Sequence, residues 1–178
     1  MRSVSNNLII LPLLAFLGIF CMGLPVNALA KQPTPQSGTV LRVSDGDTIR
    51  VRVDKEEIRV RLYGIDAPES KQPGGREATD FLKNLLLSEN VTLYTLDVDR
   101  YGRQVAIVVL PDGSIVQEQL LKAGLVWVYT KYCKVDKCKD WKRMEKQAKA
   151  SQTGLWMDNS AVPPWEWRNN RLSQTELL

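Results

Sequence analysis

The chain has 178 residues, 44% hydrophobic and 25% charged, with a formal net charge of +4 and no histidine. This length suits one globular domain with a sizeable core and argues against a second. The mild basic excess is compatible with a phosphate-rich partner but does not single one out. The missing histidine is more decisive: it excludes Ser-His and Cys-His nucleophiles and a phosphohistidine intermediate. Any general base is then a carboxylate, a lysine or a metal-bound water.

The N-terminus reads as an export signal. Arg2 is the only charged side chain in residues 1–30, an apolar run follows from Leu8 to Leu24, and Ala28-Leu29-Ala30 forms a small-x-small cleavage pattern. Cleavage after Ala30 is expected, which leaves a net charge of +3 and a protein in the periplasm or fully secreted, with no membrane attachment. The alternative is a retained anchor, since the run is near the minimum spanning length, although Pro12 and Pro25 interrupt it. Residues 31–37 are Pro- and Gln-rich and are expected to form a flexible leader.

From Gly38 onward the apolar pattern alternates. Strands are expected over Thr39 to Val43, Thr48 to Val53 and Glu57 to Tyr63. In the third, Ile58, Val60 and Leu62 share one face and send Arg59, Arg61 and Tyr63 to the other. A Pro68 break and a Gly-rich turn precede a helix from about Glu77 to Leu87, with Ala78, Phe81, Leu82 and Leu85 at helical spacing. Strands over Val91 to Leu96 and Gln104 to Leu110 flank the polar hairpin Asp97 to Arg103. Ser114 and Gln117 have the spacing of a capping box, opening a helix that ends before Gly124. A last helix is expected from Lys139 to Ala150. Five strands, with a helix after the third, predict an α+β fold: a five-stranded OB-type β-barrel with about three α-helices.

Two cysteines remain after the signal, Cys133 and Cys138, with four residues between them. In an oxidising compartment such a pair forms a local disulfide, stapling the loop between two helices; the alternative is two reduced thiols. Zinc is excluded as a structural metal for lack of further soft ligands. The five tryptophans, Trp127, Trp141, Trp156, Trp165 and Trp167, read as packing residues. Lys131, Lys134, Lys137 and Lys139 read as a solvated face.

The carboxylates placed for chemistry are Asp47, in Asp45-Gly46-Asp47-Thr48, and Asp66 and Glu69, in Arg61-Leu62-Tyr63-Gly64-Ile65-Asp66-Ala67-Pro68-Glu69. Each stretch alone is open to a simpler reading. Asp-Gly-Asp is a common turn, and the second stretch could be a strand end with solvated acids. Two aspartates with backbone oxygens are hard ligands, suited to calcium or magnesium.

In order and spacing, these two stretches together with Asp99-Arg100-Tyr101-Gly102-Arg103 resemble the staphylococcal nuclease (thermonuclease) family. The resemblance runs from about Val40 to Trp156 and places the domain at residues 38–158, with residues 159–178 as a C-terminal tail. It implies catalytic roles for Arg61, Glu69 and Arg103, and calcium (Ca2+) ligation by Asp47, Asp66 and the Ala67 carbonyl, a position where the family's best-known member has threonine. It also implies hydrolysis of DNA and/or RNA to 3′-phosphorylated products, with Glu69 as general base. Arg100 and Tyr101 are candidates for contact with a terminal phosphate, and Tyr129 and Tyr132 for the region where the family stacks a base. Neither a stable protein partner nor an oligomer is implied. The rival reading is an OB-type nucleic-acid-binding module without catalysis, in which the arginines or the glutamate would be expected to be missing.

Overall fold

The computed structural model describes residues 34–175, with side chains through residue 171. The expected signal segment and cleavage site lie outside the described residues. Strand β1 spans Gln36–Asp45, β2 Thr48–Val53, β3 Glu56–Leu62 and the two-residue β4 Ile65–Asp66. Helix α1 (Gly75–Leu86) follows, then β5 (Asn90–Val98), β6 (Gln104–Val109), α2 (Val116–Lys122), the short β7 (Trp127–Val128) and α3 (Lys137–Ala150). A 3-10 turn at Gly154–Met157 leads to α4, Pro164–Thr175.

Five strands close a barrel in the order β1-β2-β3-β6-β5. The β3–β6 pair is parallel, with Arg61 opposite Val105, and β1 returns to β5 through Gln36 opposite Leu93. Gln36 and Ser37, expected in the leader, are therefore strand residues: their backbone groups pair with β5 instead of with water.

The alternation in the sequence accounts for the interior. Ile49, Val51, Val60, Leu62, Leu93, Ala106 and Val108 are at most 1% exposed. Helix α1 closes the barrel with Ala78, Leu82 and Leu86, one stripe at helical spacing. The opposite face of β3 is not simply solvent-facing. Tyr63 is buried against Trp141 of α3, its hydroxyl accepting a hydrogen bond from the Lys134 amide at 2.8 Å.

Two further expectations change. The capping box does not form: α2 opens at Val116, its N-cap Ile115 makes no side-chain bond, and the Ser114 amide donates to Asp112 Oδ1 at 2.8 Å. Gln117 is instead fully buried and joins α2 to the barrel, donating to the Ala106 carbonyl at 2.9 Å and accepting from the Val108 amide at 3.3 Å. A buried amide satisfied by two backbone partners outweighs a solvent-exposed cap. The segment after residue 158, expected as a tail, carries α4, which makes four α-helices in the described residues.

Cys133 and Cys138 form a disulfide with their Cα atoms 5.7 Å apart. It ties the loop after β7 to the first turn of α3. The short β7 stands between α2 and this loop.

Candidate active site

The site is built where three strand ends meet. Thr48 pairs with Arg61 in the β2–β3 ladder, so Asp47 lies immediately beside Arg61, and the Asp47 carbonyl accepts from the Leu62 amide at 2.8 Å. The chain turns at Gly64 into β4, which pairs with β7 through Asp66 opposite Trp127. Gly46 permits the close approach that follows: a Cβ there would meet the Cβ atoms of Ala67 at 2.7 Å and Ala78 at 2.8 Å. The Asp-Gly-Asp segment is thus a turn pressed against α1 and the Asp66-Ala67 segment, not a free hairpin.

Asp47, Asp66 and Ala67 are all buried. Asp47 Oδ2 accepts from the Ala67 amide at 2.7 Å and lies 2.6 Å from Arg61 Nη1, while Arg61 Nη2 donates to Asp66 Oδ1 at 2.8 Å. The Nη1 group is held by the Asp47 ion pair, although its N–H bonds do not line up with that oxygen as a hydrogen bond. Burial pushes the Asp47 carboxyl up to about 7; the Arg61 charge opposes that shift, and Asp45 and Asp66 add repulsion. With Arg61 as the one guanidinium shared by two buried carboxylates, the geometry leaves room for a second positive charge. A cation with a preference for hard oxygen fits two neighbouring carboxylates, and the Ala67 carbonyl would be a third oxygen within the same segment. Among the described residues no group of three or more His, Cys, Asp or Glu side chains gathers as a metal site.

Glu69 lies on the loop between β4 and α1, with its side chain 39% exposed. Its backbone is held from two directions. The Glu69 amide donates to Gln72 Oε1 at 3.1 Å, and its carbonyl lies so near Gly75 that a Cβ there would collide with it. Gln72, itself buried, also donates to the Val162 carbonyl at 2.6 Å. No local pattern marks Gln72 for this role, since its partner is 90 residues away.

Arg103 comes from the β5–β6 hairpin. It precedes Gln104, the register partner of Val60, and by alternation shares the face of Val105 and Arg61. Asp99 fixes it, accepting from the Arg103 amide at 3.0 Å and from Nε at 2.6 Å. Burial would raise the Asp99 pKa, but the bonds from Arg103 and the Tyr101 amide outweigh it and lower the value. Arg59 Nη2 donates to the Tyr101 carbonyl at 2.6 Å and locks the hairpin to β3. Arg100 donates to the Tyr101 hydroxyl at 2.7 Å, and the guanidiniums of Arg100 and Arg103 lie 4.9 and 5.5 Å from its ring centre. Tyr101 remains 59% exposed.

Tyr129 and Tyr132 meet edge to face with their rings 4.8 Å apart. Tyr129 also stacks on Trp165, at 5.1 Å and 10°. Arg168 of α4 reaches the carboxylates: Nη2 is 2.7 Å from Asp66 Oδ2, and Nη1 is 2.7 Å from Glu69 Oε1 and 3.5 Å from Asp66 Oδ1. Burial opposes the Arg168 charge, but Asp66 and Glu69 outweigh it and raise its pKa. Arg168 thus links Glu69 to the Asp47-Asp66-Arg61 cluster. An apolar cleft of about 470 Å³, lined by Gly74, Leu125, Trp127, Leu155 and Trp167 among others, lies beside the Gln72 loop, and none of the three carboxylates lines it.

Comparison with known proteins identifies the family. The family model described as staphylococcal nuclease homologue matches residues 59–158. An uncharacterized endonuclease of Escherichia coli O157:H7 is 42% identical over 134 residues, covering 75% of this chain and 86% of that protein. A micrococcal nuclease of Shigella flexneri is 37% identical over 139 residues, covering 74% and 79%. A probable staphylococcal-like nuclease of Oryza sativa subsp. japonica is 42% identical over 120 residues, covering 67% of this chain and 35% of that protein. With a closed five-stranded barrel, the acidic and arginine segments meeting at its strand ends, and a family match over more than half its length, the chain belongs to the staphylococcal nuclease family.

Proposed function

We propose that this staphylococcal nuclease homologue, a phosphodiester-hydrolysing enzyme, is a calcium-dependent nuclease acting on DNA or RNA, with Glu69 as general base and Arg61 and Arg103 as phosphate clamps. The observation that carries the reading is the charged cluster itself: Arg61 meets Asp47 at 2.6 Å and Asp66 at 2.8 Å at converging strand ends, and Glu69, on the loop that follows, is drawn to Asp66 through their shared partner Arg168, 2.7 Å from each.

Glu69 takes a proton from a water that attacks phosphorus in line with the leaving 5′ oxygen. The new P–O bond forms as the P–O5′ bond breaks, the leaving oxygen takes a proton from solvent, and the phosphate stays on the 3′ side. Arg61, oriented by its ion pairs to Asp47 and Asp66, donates from its guanidinium to a phosphoryl oxygen. For Arg103, Asp99 already accepts from Nε, so the phosphate-binding role falls to the Nη groups. A planar fork that stays charged suits both positions, and a lysine would lose the two-point grip. Calcium held by Asp47, Asp66 and the Ala67 carbonyl would supply a Lewis-acid charge that offsets the negative phosphate. Arg100 and Tyr101 contact the terminal phosphate, and Tyr129 and Tyr132 border the base. We further propose that the protein acts outside the cytoplasm as a monomer after cleavage following Ala30. The Cys133–Cys138 disulfide supports that location.

The test is digestion of single- and double-stranded DNA and RNA with calcium, with excess chelator, and with Glu69→Gln. Removing a group that acts on transition-state charge costs on the order of a hundred- to a thousandfold in rate, so Glu69→Gln is expected to lose that much. Cleavage unaffected by both chelator and substitution would overturn the mechanism, and nucleic-acid binding without cleavage would establish the inactive binding module instead.

A further inference from the structure

Helix α4 lies beyond the family match at residues 59–158, yet it sends two side chains into the site. Trp165 and Arg168 are three residues apart and share a helix face. Arg168 engages Asp66 and Glu69 at 2.7 Å each, and Trp165 lies flat on Tyr129. The segment entering the helix is tethered to the Glu69 loop by the bond from Gln72 to the Val162 carbonyl.

We propose that α4 is an intramolecular occupant of the active site: Arg168 takes the cation's place on Asp66, and Trp165 takes a nucleobase's place on Tyr129. The helix must undock before calcium and nucleic acid can bind. The inference rests on the nuclease reading above and adds regulation of that site.

Three physical points support it. A guanidinium 2.7 Å from an Asp66 oxygen repels a second cation seeking the same carboxylate. A Glu69 oxygen already accepting a charge-assisted hydrogen bond is a poorer acceptor for a water proton. A ring stacked on Tyr129 at 5.1 Å covers the face a base would use. Release is within reach, because the Arg168 and Glu69 side chains are each 39% exposed and water can replace their contact.

The test uses the full chain. Calcium is titrated calorimetrically, without nucleic acid, into the wild type and Arg168→Gln. Amide exchange across residues 164–175 is then followed in the wild type as calcium and a single-stranded oligonucleotide are added. A helix docked nine-tenths of the time weakens binding about tenfold, so Arg168→Gln is expected to bind calcium about tenfold more tightly. Exchange in α4 is expected to accelerate on ligand addition, and Trp165→Ala is expected to bind the oligonucleotide more tightly than the wild type. Calcium binding that is unchanged, weaker or missing in Arg168→Gln overturns the proposal, as does α4 exchange that is unchanged or slower with ligands. Weaker oligonucleotide binding by Trp165→Ala also overturns it, because that ring would then be a substrate contact. Should neither protein cut nucleic acid while the calcium and exchange results hold, the nuclease reading falls and the occupant role of α4 stands.

Discussion

Arg61 is expected to carry two separable functions, and replacing it by methionine and by lysine should divide them. The Arg61 side chain is 15% exposed and meets Asp47 at 2.6 Å and Asp66 at 2.8 Å, carboxylates whose side chains are 9% and 2% exposed. Deleting one partner of a buried ion pair costs about 3–5 kcal/mol, because the remaining carboxylate must either stay buried without compensation or take up a proton. Arg168 still covers Asp66, so Asp47 bears most of the loss, which puts Arg61→Met near the lower figure, about 3 kcal/mol. Against a total stability of about 5–15 kcal/mol, that is a large fraction. Arg61→Lys keeps a charge but can satisfy only one carboxylate well, and losing one charged hydrogen bond costs about 1.5–3 kcal/mol. Both variants are expected to lose on the order of a hundred- to a thousandfold in cleavage rate. Equilibrium denaturation without calcium measures the first effect, and initial rates on DNA measure the second. A methionine variant as stable as the wild type would refute the charge-balance argument, and a lysine variant with wild-type rates would refute the phosphate-clamp role.

Gln117→Leu is expected to cost about 1–3 kcal/mol by removing partners of the Ala106 carbonyl and the Val108 amide, read as a lower denaturation midpoint with little change in cleavage near the transition's foot. Gly46→Ala should cost about 1–3 kcal/mol of overpacking against Ala67 and Ala78, and because Ala67 must move, calorimetry should also show weaker calcium binding. Reducing the Cys133–Cys138 disulfide removes a short loop constraint worth about 2 kcal/mol, measurable as a midpoint shift between oxidised and reduced protein. The lowered pKa of Asp99 contributes stability that is fully present above the unfolded value of about 3.9 and is lost as pH falls through the lower folded value. Amide exchange in the β5–β6 hairpin should therefore reveal acid loosening that Asp99→Asn abolishes by loosening it at every pH.

The barrel was legible in the sequence because period-2 alternation is a local signal, and β2 and β3 appear within a residue of where Ile49, Val51, Val60 and Leu62 imply. Asp47, Asp66 and Arg61 converge for a similar reason: each lies at or next to the end of a strand in the β2–β3–β4 run, and Thr48 opposite Arg61 fixes their register. The reading failed where the deciding partner is remote. Ser114 and Gln117 have a cap's spacing, but the Gln117 acceptor and donor lie on β6, and no local pattern points there. Arg168 sits in the segment expected as a C-terminal tail, and its partners are 99 and 102 residues away, so nothing local ties it to Asp66 and Glu69.

The position of Arg168 follows from the site's own electrostatics. Asp66 is 2% exposed, and a carboxylate that dry must be met by positive charge from somewhere in the chain or from solution. Arg61 satisfies one of its oxygens from the adjoining strand, and the other is left for a second cation. Arg168 supplies that charge from α4, outside the segment matched to the family. The residues that make the pocket suitable for a metal therefore also make it attractive to a guanidinium. The motif specifies an electrostatic demand more strongly than it specifies which group meets it.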